Sequence, residues 1–149
     1  MRDPDLWLIF HMVKTDMATF SASVDKVSPV TEFVMANLNC LTNTRLMHWD
    51  ADTYAVHVTL GEFYDELADL LDEFTEQYQG KYGKLMGRDK AAPFMVVGAP
   101  PVAYLSEMRR FIENIRHIGE FPSDSELQNK IDEILGEYNQ TLNKLRFYK

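Results

Sequence analysis

The sequence predicts an all-α fold, a bundle of four long helices with an extended connection between the second and the third. Three observations predict it. Apolar residues recur at helical spacing in four separate stretches. Residues that start and stop helices bound those stretches. Four of the seven glycines and three of the six prolines gather in one place, residues 80–101, rather than spreading through the chain. At 149 residues, one domain spanning 1–149 is the natural count, and such a chain can bury a real core.

Residues 1–28 read as an N-terminal extension. Their apolar run "LWLIFHMV", residues 6–13, is too short to span a bilayer, and the flank "MRDPD" is partly acidic, so no signal peptide is expected. A short helix or strand packed on the body, or a subunit contact, are the two readings of this run.

The first helix spans residues 29–49. Ser28 suits the N-cap, and Pro29 suits the first turn, where its missing N–H costs nothing. Val30, Val34, Leu38 and Leu41 form one stripe, and His48 falls on the same line, which directs it inward. The second helix runs from about Thr53 to Gln79, with Gly80 as its stop. Phe63, Leu67, Leu70, Phe74 and Tyr78 repeat on its apolar face, widened by Tyr64 and Leu71. Asp65, Asp69, Asp72 and Glu76 repeat opposite them.

The connection, 80–101, carries Lys81, Lys84, Arg88 and Lys90, and a short strand "FMVV" fits at 94–97. A link this long lets consecutive helices run parallel. A third helix follows Pro101, burying Leu105, Met108, Ile112 and Ile115, and ends near Gly119. The fourth opens on "SDSE", a capping box from Ser123 to Glu126, and continues through Leu127, Ile131, Ile134, Tyr138, Leu142 and Leu145.

Composition excludes some functions. A net charge of −8 argues against a general nucleic-acid binder, which needs clustered Lys and Arg on phosphates. Cys40 is the only cysteine, so the chain forms no internal disulfide, and a reducing, cytoplasmic compartment is expected. No phosphate-cradling glycine motif occurs, and no third group orients Cys40 as a nucleophile.

The segment 46–80 stands apart, with two histidines, nine acidic residues and no lysine or arginine. A helix with one apolar face commonly shows charge on the other, so solvation accounts for much of the acidity. The usual i,i+4 cations are nevertheless missing from this helix. His57 and Asp72 lie fifteen residues apart, roughly 22 Å along a helix rising about 1.5 Å per residue, so one copy cannot join them around an ion. Two copies crossing antiparallel about a two-fold axis near residues 64–67 bring His57 of one to Asp72 and Glu76 of the other. Imidazole with two carboxylates suits iron, zinc or manganese.

These residues resemble the Dps-type mini-ferritins. In that family an "HW" pair ends the first helix, and the second helix carries a histidine, an aspartate fifteen residues later and a glutamate four further on. His48 with Trp49, and His57, Asp72 and Glu76, stand in those places. The long connection is ferritin-like as well. The resemblance spans about residues 29–148 and is strongest over 46–80. It implies a ferritin-like four-helix bundle with a crossover between helices two and three, in a homo-oligomer that is at least a dimer. It also implies ferroxidase chemistry: iron bound at the two-fold by His57 with His48 assisting, and by Asp72 and Glu76 of the neighbour.

The sequence departs from the family at defined points. Eight residues separate His48 from His57 where the family has eleven. Gly61 stands where an aspartate ligand is usual, with Glu62 adjacent but about 100° round the helix. The family's lysine-rich DNA-binding tail is absent, and no Glu-x-x-His pattern occurs. These departures match divergent mini-ferritin-like proteins, some from large phages. They lead to a second expectation, a ferritin-like bundle without metal chemistry that acts as a structural or protein-interaction module.

Overall fold

The computed structural model describes residues 27–148. The apolar run at 6–13 and His11 lie outside the described residues. Four helices are packed together: α1, Pro29–Trp49; α2, Tyr54–Tyr82; α3, Pro101–Ile115; and α4, Ser125–Phe147. Arg88–Lys90 form one turn of 3-10 helix in the connection, and no strand occurs among the described residues. The "FMVV" segment therefore lacks a strand partner.

Local chemistry sets the helix ends. Ser28 caps α1 by accepting from the Thr31 N–H, and Thr53 caps α2 by accepting from the Val56 N–H. The stop of α2 differs from the sequence expectation. Gly80 lies inside the helix, and the chain turns at Gly83, whose φ of 89° only glycine adopts freely. At the start of α4 the expected capping box does not form. Asp124 holds the cap position, and its carboxylate is taken by Lys81 and the Tyr82 hydroxyl instead of by the helix backbone.

The apolar stripes of α2, α3 and α4 are buried as expected, with Tyr78 and Leu145 only partly covered. The face of α1 is rotated from expectation. Val30, Phe33, Val34, Asn37, Cys40 and Thr44 face inward, while Leu38 is 42% exposed. Two polar residues can occupy this face because each satisfies itself locally: Asn37 donates to the Phe33 carbonyl and Thr44 to that of Cys40.

Helix α1 packs on α2 and α3, and α4 packs on the same two. Ion pairs from α4 reach α2 in antiparallel order, Lys130 to Glu73 and Lys144 to Glu62. Two acids of α2, Glu62 and Glu73, thus take their cations from α4. The connection is tied to α1 at two places. Thr31 donates to the Met86 carbonyl; further along, Asn43 donates to the carbonyl of Met95 and accepts from the N–H of Val97.

Three aromatic rings close one end of the core, Phe33 edge-on to both Phe74 and Phe121 at 4.9 and 5.8 Å between ring centres. No helix among the described residues is long and apolar enough to cross a membrane.

Candidate functional site

The two histidines of the acidic segment meet where α1 turns into α2. Trp49 ends α1, the Asp50 N–H returns to the Leu46 carbonyl, and Thr53 starts the next helix, so the link is only a few residues long. This tight turn sets the His48 and His57 rings face to face, 3.7 Å between centres and 19° between planes. Each ring reaches the other's backbone: Nδ1 of His48 lies 2.5 Å from the His57 carbonyl, and Nδ1 of His57 lies 2.9 Å from that of His48.

A carbonyl oxygen can only accept, so both Nδ1 atoms carry the proton. Tyr64 meets the His48 ring edge-on at 5.4 Å, and the Arg45 guanidinium lies over Tyr64 at 4.8 Å. The sequence directed His48 into the core. Instead its ring is half-buried at the hairpin, because eight intervening residues leave it opposite His57.

Gly61 is part of the same arrangement. A Cβ built there would lie 3.0 Å from Cε1 of His48 and 3.3 Å from its Nδ1. The glycine thus opens the space that the imidazole fills. An aspartate at this position would need that volume for itself.

The remaining expected ligands are elsewhere. Asp72 and Glu76 are exposed, four and five turns along α2 from His57. Among the described residues neither has an ion-pair partner, nor do Asp65 and Asp69 on the same stripe. Glu62 is exposed and paired with Lys144 at 2.9 Å, and Trp49 is 67% exposed. Among the described residues no three His, Cys, Asp or Glu side chains gather as a metal would require.

The two imidazoles do not fit a shared ion as they sit. Ring-nitrogen lone pairs lie in the ring planes, and planes this close to parallel cannot converge on one ion about 2 Å from both nitrogens. Each Nε2 stands outside these two hydrogen bonds.

Two features of the site region escaped the sequence reading. The first is a buried polar network in the bundle centre. The Tyr138 hydroxyl donates to Oδ1 of Asn37 at 2.9 Å and contacts Sγ of Cys40 at 3.2 Å. Asn43, fixed to the connection, lies 3.4 Å from the Tyr104 hydroxyl. Burial pushes the Cys40 thiol up to about 12, against a smaller opposing effect of its Tyr138 hydrogen bond. Burial likewise holds both tyrosine hydroxyls well above their ordinary range. The signal in the sequence was Asn37 and Thr44, polar residues seven apart on the inward side of α1.

The second is an open groove of about 570 Å³ between α2 and α4, lined by Glu62, Glu66, Glu133, Glu137 and Lys144. Burial, reinforced by the charge of Glu66, raises the Glu137 carboxyl above the usual carboxylate range. Glycine at 136 leaves that wall of the groove without a side chain.

No curated protein and no solved structure matches the sequence. A family model does match. It begins at His48, takes in the hairpin, α2, the connection and α3, and runs to residue 145 in the last turns of α4. The chain accordingly belongs to the family described as "Family of unknown function (DUF5856)", matched over residues 48–145.

Proposed function

We propose that this protein is a ferritin-like helical bundle that works through protein–protein contact and assembly, without a metal centre of its own. The contacts of the connection support the ferritin-like plan. Its bonds to Thr31 and Asn43 lie twelve residues apart on α1, roughly 18 Å at about 1.5 Å per residue. A link that travels this far starts α3 at the end where α2 also starts, and the two run parallel.

One observation carries the functional reading. The two histidines that resemble iron ligands are spent as a clasp, ring on ring and each Nδ1 on the other's carbonyl, with Gly61 making room. The clasp fastens α1 to α2 without outside help. Titration with Fe(II) under dioxygen or peroxide tests it. The expected result is no ferric absorbance above buffer, with His57→Ala indistinguishable from the parent. Oxidation that depends on His57 overturns the reading.

A second reading has its own support. Hydrogen bonds that fix both Nδ1 protons leave each Nε2 lone pair free, the arrangement metal-binding histidines adopt. Asp72 and Glu76 are exposed and have no ion-pair partner among the described residues, which leaves them to a neighbour's His57. Two α2 helices crossing there would set carboxylates against carboxylates, so this dimer needs a cation to hold it. On this reading Fe(II) or Zn(II) shifts the sedimentation of the parent from monomer to dimer, a chelator reverses the shift, and Asp72→Asn abolishes it. A monomer insensitive to metal removes the second reading.

A further inference from the structure

We draw no further inference here: the strongest candidate, the open groove between α2 and α4 lined by Glu62, Glu66, Glu133 and Glu137, is a cluster of acidic side chains into which no buried, unpartnered polar group among the described residues points.

Discussion

Two polar clusters lie on α1, and they are built on opposite principles. The cluster around Tyr138, Asn37 and Cys40 is sealed inside the bundle, with every hydroxyl and amide matched to a partner. The cluster of His48 and His57 sits at the hairpin, within reach of water on one side. A buried polar group left without a partner pays its full desolvation penalty, whereas an exposed one is rescued by solvent. The interior network is therefore where stability and register are decided. The histidine clasp sets local geometry at little energetic stake.

The largest expected effect breaks the interior cluster. Tyr138→Ala opens a cavity and strands the Asn37 carbonyl oxygen, costing about 3–5 kcal/mol. Tyr138→Phe keeps the ring and removes only the hydroxyl, for about 1–3 kcal/mol. Urea unfolding of both variants checks the gap between them. Equal losses would mean that packing alone matters and the network contributes nothing.

Next in size is alkaline sensitivity. The unfolded Cys40 thiol ionises near its ordinary 9.0, while the folded one resists to about 12. The unfolded state therefore holds fewer protons above pH 9, and stability falls as pH rises through that window. At pH 10 the loss is about 1.4 kcal/mol from this group, and Cys40→Ser should remove that part of the slope. Chemical denaturation at pH 8, 9 and 10 measures it.

The smallest effect sharpens the other side of the comparison. Alanine is favoured over glycine within a helix by about 1 kcal/mol, so Gly61→Ala should stabilise α2. In the parent, the new Cβ meets the His48 ring at 3.0 Å and the gain is cancelled. In a His48→Ala background the gain should reappear at about 1 kcal/mol. A double-mutant cycle without coupling between positions 48 and 61 would show that the imidazole is not held where the geometry puts it.

Much of the fold was legible because its signals are local. The N-cap of α1 at Ser28, the start of α2 near Thr53 and the apolar stripes of α2, α3 and α4 are written in adjacent residues, and these form as read. The errors fall where tertiary partners intervene. Gly80 has the character of a helix stop, but nothing forces the chain to turn there, and Gly83 takes that role. The capping box at Ser123 loses to Lys81 and Tyr82, which reach Asp124 from forty residues away. The α1 face rotates because Asn37 and Thr44 satisfy themselves on their own helix, which a hydrophobic pattern does not register. At the candidate site, the pairing of His48 with His57 follows from a loop length, eight residues, that was visible. Gly61 read as a missing ligand, and only the packed hairpin shows it as space made for a ring.

The tethering of the connection to α1 has a consequence of its own. Between Gly83 and Pro100 this link holds to the bundle through a handful of side-chain bonds and two buried apolar residues, Leu85 and Ala99, while each helical hairpin on either side is braced by the other. A break in the covalent chain near Ala91 would leave two halves, each carrying a pair of helices and complementary apolar faces. Backbone continuity there serves delivery more than adhesion, so the molecule is in principle divisible into pieces that recognise one another.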